Sequence, residues 1–256
     1  MRNYKEERQK ILESAGHTVK ELLERKSVRV FTEREISNEE KRQILFAAAE
    51  APTAGCQQLY TILDITDPEK KKALSESCDH QPFIEKAPLV LVFCTDCRRW
   101  WKAYEEAGCE PRKPGVGDFL LSLADTAIAA QNSVTAAWSL GIGSCYIGDI
   151  LENAERQKEI LELPDYVVPT VMVVFGFPTK QQKEREKPAR FAMEDVVFEN
   201  AYPKPKEIDL RSAFAARCGE QSFEDWIEKF CRRKYESDFA REMNRSAETI
   251  LKKFSE

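Results

Sequence analysis

The segment Arg25-Lys26-Ser27-Val28-Arg29 places three cations and a hydroxyl within five residues, between a helical pattern and Val30-Phe31-Thr32. In an extended segment side chains alternate in direction. Arg25, Ser27 and Arg29 then share one side and Lys26 takes the other. Guanidinium forks match phosphate oxygens in pairs, so the first side is a candidate phosphate seat. The same residues suit a solvated basic patch that closes a helix, where cations oppose the negative end of the dipole. Taken alone, the five residues leave both readings open.

Three further stretches have compositions suited to a bound group. Ala51-Pro52-Thr53-Ala54-Gly55-Cys56-Gln57-Gln58 is a small-residue turn at a helix end. Gly141-Ile142-Gly143-Ser144-Cys145-Tyr146-Ile147-Gly148-Asp149 holds a short strand between glycines, and Lys187-Pro188-Ala189-Arg190 closes a charged stretch. Cys94-Thr95-Asp96-Cys97 has CxxC spacing, but His17 and His80 are the only histidines and no second such pair exists. A zinc site calls for one or the other. Cys94 also ends an apolar run, so the eight cysteines are expected to be free thiols rather than a disulfide frame. The chain contains no GxGxxG, GxxxxGK, GxSxG or HExxH. Without these motifs, the economical enzyme reading is one in which a cofactor carries the chemistry.

The elements that must position these residues follow from the pattern of apolar positions. The chain has 256 residues, enough for one large domain or a domain with an appendage. Its net charge of -5 argues against a general nucleic-acid binder. No run of 18 apolar residues suggests a membrane span. The first ten residues are charged and lack the apolar core of a secretory signal, so a cytoplasmic location is expected.

Apolar spacing predicts helices over 7–26 and 39–50, the second started by Ser37 and acids in its first turn. Residues 60–66 read as a strand, and Pro68 opens a charged helix to about residue 77. Residues 89–94 and 167–175 are apolar runs suited to buried strands. Residues 99–117 hold Trp100, Trp101 and Tyr104 and then a Pro- and Gly-rich loop, a candidate lid. Residues 118–140 form the strongest helix, apolar on most of its circumference and therefore destined for a core or an interface. A short strand over 144–147, a turn at Gly148-Asp149 and a helix over 153–161 follow. Residues 179–190 read as a charged loop, 196–198 as a short strand, and 221–255 as a helical appendage with Phe223, Trp226, Ile227, Phe230 and Cys231 on one face. Interspersed helices and strands make the class mixed α and β.

The order and spacing of the four stretches, with the helix that contains Asp125-Thr126-Ala127-Ile128-Ala129-Ala130-Gln131-Asn132, resemble the nitroreductase family over residues 20–202. The likeness is to the oxygen-insensitive, NADPH-using nitroreductase and flavin reductase branch, which carries an Arg-Trp segment after the second long strand, as Arg99-Trp100 does. The resemblance implies an α+β fold, with a central, mostly antiparallel sheet flanked by helices. It also implies an intertwined homodimer holding FMN at the interface, and a helical C-terminal extension. Residues 1–202 would form the FMN-binding domain and 203–256 the extension, docked on the body or on the partner subunit.

The implied activity is ping-pong hydride transfer from NADPH or NADH through FMN to a small acceptor: a nitro compound, a quinone or a free flavin. A reductive dehalogenase of the same fold and a non-enzymatic FMN-binding protein are the alternatives. No nucleic acid or membrane partner is implied.

By the same resemblance Arg25, Ser27 and Arg29 would grip the FMN phosphate and ribityl chain. Lys26 would approach the pyrimidine side of the ring, and Lys187 and Arg190 would close the phosphate. Pro52, Thr53 and Ala54 would reach the partner's flavin, and Gln81 would bond the ring. Gly148 and Asp149, with Ile147 beside them, would offer backbone N–H groups to flavin N5. Two departures stand out. Cys56 takes the place of a usual amide and Leu59 that of a usual proline in the second stretch, and Ala189 interrupts a common Lys-Pro-Arg in the fourth.

Overall fold

A computed structural model describes residues 4–255. Its centre is a four-stranded antiparallel sheet of β1 (Tyr60–Asp64), β2 (Leu89–Asp96), β3 (Gly143–Ile147) and β4 (Val167–Gly176), in the order β1-β2-β4-β3. The two long apolar runs take the central positions, because a strand flanked on both edges and covered on both faces must be apolar throughout. Leu91 pairs with Asp64 on one side and Val173 on the other, and the β2–β4 register shifts between Phe93 and Cys94.

Alternation along β2 and β4 divides the core into two layers. Val90, Val92, Cys94, Met172 and Val174 pack with Leu74, Ile84 and Ile160 on one face. Leu89, Leu91, Phe93, Val173 and Phe175 pack with Ile44, Ala48, Ala129, Ala130, Val134 and Ala137 on the other. The second layer uses the helices Asn38–Ala49 and Val116–Ser139, whose alanines let the backbones approach closely. Ser37 caps the first of these, as the sequence predicts, and does so in a reciprocal capping box with Glu40.

The described residues group into two compact units: residues 25–185 with 241–255, and residues 4–24 with 186–240. The first unit holds the sheet. It also holds a third apolar cluster in which Phe254, from the helix Asp238–Ser255, meets Phe119 at 5.0 Å and Tyr166 at 5.4 Å between ring centroids. In the second unit Phe191, Phe214, Phe223, Trp226 and Phe230 form an aromatic cluster, with Trp226 and Phe230 stacked at 4.8 Å. The apolar face expected of the appendage thus has partners.

Four local expectations differ from the structure. The helix over 7–26 is two helices, Tyr4–Ser14 and His17–Glu24, parted at Ala15-Gly16, where glycine makes helix continuation costly. Trp100, Trp101 and Tyr104 lie on a helix, Arg98–Glu106, rather than at the start of a long loop. Its start is stabilised by the Asp96 carboxylate, which accepts from the backbone N–H groups of Arg98 and Arg99 at 3.0 Å each. The loop over 179–190 contains a short helix, Lys180–Glu184, opened by Thr179. Residues 196–198 are not a strand; they follow the 3₁₀ turn Met193–Asp195 and are largely exposed.

Candidate functional site

The cationic segment is pinned to the sheet. Ser27 forms a parallel bridge with Ser144 on β3, and the Val28 N–H donates to the Ser144 carbonyl at 2.9 Å. Val28 is buried, and a Cβ on Gly143 would fall 2.5 Å from its Cγ2. Glycine at 143 is therefore what lets the segment close on β3. On its other side the segment meets the helix Lys180–Glu184. Gln182 accepts from the Arg29 N–H at 3.3 Å, and Arg185 donates to the Ser27 carbonyl at 2.7 Å.

The predicted alternation holds. Lys26 turns away from its neighbours and donates to the carbonyls of Lys183 and Arg185 at the end of that helix, a favourable place for a cation. Arg25, Ser27 and Arg29 gather about Cys145. Burial raises the Cys145 thiol pKa, while the Arg29 guanidinium, the Ser27 hydroxyl and the Arg25 guanidinium oppose the rise. Among the described residues Arg29 has no carboxylate partner. Two guanidiniums and a hydroxyl converging at one place, with no carboxylate on Arg29, form a donor set that fits a phosphate.

β3 leads from this cluster to the turn Gly148–Leu151. From Ser144 to Gly148 an extended strand covers about 13 Å, room for a chain between a phosphate and a ring. Ile147 is buried, whereas Gly148 is exposed and a Cβ there would meet nothing within 4 Å. The backbone at Gly148 is open to close approach by a planar group. Glu152, the residue that closes the turn, is 6% exposed.

The small-residue stretch is organised by a residue that sequence reasoning did not single out. Asp125, 3% exposed on the helix Val116–Ser139, accepts from the Thr53 hydroxyl, from Ala54 N–H at 3.0 Å and from Leu59 N–H at 3.2 Å. Ser122, one turn earlier, donates to the Leu59 carbonyl and accepts from Asp96 N–H at 3.1 Å. Two polar residues on the buried face of an apolar helix were the signal for this seam. The loop they hold contains Gly55, Cys56 and Gln58, all at positive φ, a conformation that is uncommon outside glycine. Pro52 and Cys56 are exposed beside it. Trp100 donates to the Gln57 carbonyl at 2.8 Å, and Arg99 donates to Gln58 and Tyr60 carbonyls at 3.1 Å.

Gln81 starts the short helix Pro82–Glu85, and its amide donates to the Cys78 carbonyl at 2.9 Å. Lys187 and Arg190 belong to the other compact unit. There Lys187 donates to the Leu23 carbonyl at 2.7 Å, closing the helix His17–Glu24, and Arg190 is exposed. Both thiols of the CxxC pair are free and buried. Burial pushes the Cys94 thiol up to about 12 and the Cys97 thiol up to about 11. Among the described residues no group of His, Cys, Asp and Glu could hold a metal ion, and no helix is long and apolar enough to cross a membrane.

Comparison with known proteins agrees with this geometry. The Nitroreductase family matches residues 22–177. The chain is 35% identical over 189 residues to the FMN reductase (NADPH) of Bacillus subtilis (strain 168), covering 73% of this chain and 75% of the relative. It is 32% identical over 186 residues to the oxygen-insensitive NADPH nitroreductase of Salmonella typhimurium, covering 72% and 74%. The solved structure of the NfrA1 nitroreductase from B. subtilis superposes with a TM-score of 0.74 at 31% identity, covering 89% of this chain and 98% of that one. With the family match spanning the sheet, the pinned cationic segment and the turn after β3, the chain belongs to the nitroreductase family.

Proposed function

We propose that the protein is an FMN-dependent NAD(P)H oxidoreductase that reduces small acceptors such as nitro compounds, quinones or flavins. The observation that carries this reading is the pairing of Ser27 with Ser144, which brings Arg25 and Arg29 to one end of a strand whose other end is the open turn at Gly148. When bound, FMN supplies a two-electron carrier that takes hydride from NAD(P)H and gives it up to the acceptor.

The chain's own residues bind and orient. Arg25, Ser27 and Arg29 hold the phosphate. Gly148 and Asp149 present backbone N–H groups to the ring, next to the buried Ile147. Gln81 contacts the ring through its amide, and Lys26 reaches it only on leaving the carbonyls of Lys183 and Arg185. Pro52, Thr53 and Ala54 face the flavin of a second subunit, in the shape that Asp125 imposes on them.

The homodimer itself is supported by an apolar strip on the helix Val116–Ser139, where Leu120 is 57% and Leu121 47% exposed, and by Phe46 at 64% on the helix Asn38–Ala49. Exposed apolar patches of this kind mark interaction surfaces. Residues 1–202 carry the flavin site and 203–256 form the helical extension. A cytoplasmic location suits NAD(P)H as donor.

Equilibrium dialysis of apoprotein against FMN, followed by assay with NADPH and a nitroaromatic acceptor, tests the reading. Stoichiometric FMN uptake and NADPH-dependent turnover are expected. Absence of FMN uptake overturns it.

A further inference from the structure

Three departures from ordinary backbone chemistry fall close together at the start of β4. Tyr166 has a φ of 66°, a conformation that a bulky side chain rarely adopts. Pro169 lies within β4, and proline cannot donate to a ladder. Beside it the ladder skips a residue: Phe93 pairs with Val171 and Cys94 with Pro169, which leaves Thr170 over. Bulges and strained residues cluster at functional sites.

Tyr166 and Pro169 border one cavity. It has a volume of about 290 Å³, at the small end of ligand pockets. Tyr166, Val168 and Pro169 form one wall, Ile250 and Phe254 from the helix Asp238–Ser255 form another, and Ile150 brings in the turn Gly148–Leu151. The Tyr166 ring is fixed in its wall, with its centroid 5.2 Å from that of Trp101 and 5.4 Å from that of Phe254. Its carbonyl accepts from Cys97 N–H at 3.0 Å.

These apolar residues are buried or half-buried, whereas Glu155, Lys158, Asp165 and Lys253, which also line the cavity, are exposed. The charges therefore mark its mouth. Both acids are already matched there. Asp165 accepts from Lys158, and Glu155 accepts two hydrogen bonds from Arg245, at 2.9 and 2.8 Å. Lys253 has no carboxylate at ion-pair distance among the described residues. An entering anion thus meets a spare ammonium and no unmatched carboxylate, while its body meets aromatic and aliphatic walls.

We infer that this cavity is a binding site for a small carboxylate with an aromatic body, its ring against Tyr166 and Phe254 and its charge on Lys253. Tyr166 and Phe254 stand edge to face at 78°, so a third ring finds the offset and edge contacts that aromatic pairs prefer. A lysine is a point charge without the paired donors that arginine brings to phosphate, and a carboxylate suits it. The site is separate from segment 25–29, and the inference stands without the flavin reading.

Isothermal titration calorimetry of the full chain with 2-naphthoate, with and without excess FMN, tests it. One molecule per chain is expected to bind under both conditions. Lys253→Gln is expected to weaken 2-naphthoate about fivefold, the worth of an exposed ion pair, and to leave the uncharged 2-naphthamide unaffected. Thr249→Trp places a large ring in the cavity from a half-buried helix position and is expected to abolish binding of both. Should that variant not fold, Ala154→Phe, at another half-buried lining position, takes its place.

Absence of binding overturns the inference, as does binding that FMN displaces or that the filled cavity leaves intact. An equal loss for 2-naphthoate and 2-naphthamide in Lys253→Gln overturns the assignment of a carboxylate. Binding confined to dilute monomer and lost on self-association gives the cavity to a second copy of the chain and overturns the inference too. Failure to take up FMN overturns the flavin reading and leaves this test standing.

Discussion

The two ends of β3 differ in the sign of the charge they collect. At Ser144 the strand meets Arg25, Ser27 and Arg29, drawn together about a buried thiol. About 13 Å along an extended strand, the turn at Gly148 meets Asp149, Glu152, Asp79 and Glu242. The cationic end suits a group that arrives already charged. The acidic end offers open backbone at Gly148. One short strand thus separates a cationic end from an acidic one, and each is open to perturbation on its own.

The largest effect is expected at the anchoring end, from Gly143→Val. The new side chain occupies the place of Val28 and drives the segment 25–29 off β3. Overpacking of this kind costs about 1–3 kcal/mol or more. Loss of FMN binding with the sheet retained, read by dialysis and circular dichroism, is the expected outcome.

Next in size is Asp125→Ala, which leaves the N–H groups of Ala54 and Leu59 and the Thr53 hydroxyl without their acceptor. Hydrogen bonds to a charged group contribute about 1.5–3 kcal/mol each, so a drop of at least about 2 kcal/mol in urea unfolding is expected. The Pro52–Gln58 loop then becomes a site of ready proteolysis.

Arg29→Ala leaves the fold intact, since the Arg29 side chain is exposed and its backbone makes the contact to Gln182. It is expected to weaken FMN binding about tenfold, one charge-assisted contact's worth. Fluorescence titration with FMN and with riboflavin reads this, and the loss is confined to FMN if the contact is to phosphate.

The smallest effect is expected from Arg245→Ala at the acidic end. Arg245 holds the Glu155 and Glu242 carboxyls down to about 2. Stability from such lowered groups is present above their ordinary value of 4.5 and is lost as pH falls towards 2. Removing Arg245 flattens this acid limb by lowering stability near neutrality, and the drop is small because the pairs are largely exposed.

How far the residues alone foretold this arrangement depends on the kind of signal each element carries. β2, β4 and the helix Val116–Ser139 were readable because continuous burial leaves an unbroken apolar run. The alternation of segment 25–29 was readable because extended backbone imposes it, and Lys26 does turn away from Arg25, Ser27 and Arg29. The helix Arg98–Glu106 was missed because its stabilising carboxylate, Asp96, sits at the end of a strand rather than at the usual capping position. Asp125 and Ser122 were missed because a polar residue within an apolar helix signals nothing until its partners, 26 to 72 residues away, are in place. Val196-Val197-Phe198 has strand composition but no neighbouring strand to pair with, and β propensity without pairing does not make a strand.

The central claim, a flavin-carried two-electron exchange at β3, is tested most directly by an anaerobic absorbance titration of FMN-loaded protein with NADPH. The account predicts that the visible flavin band bleaches in proportion to added NADPH and returns when a quinone or nitro compound is supplied. A band that persists through excess NADPH contradicts it.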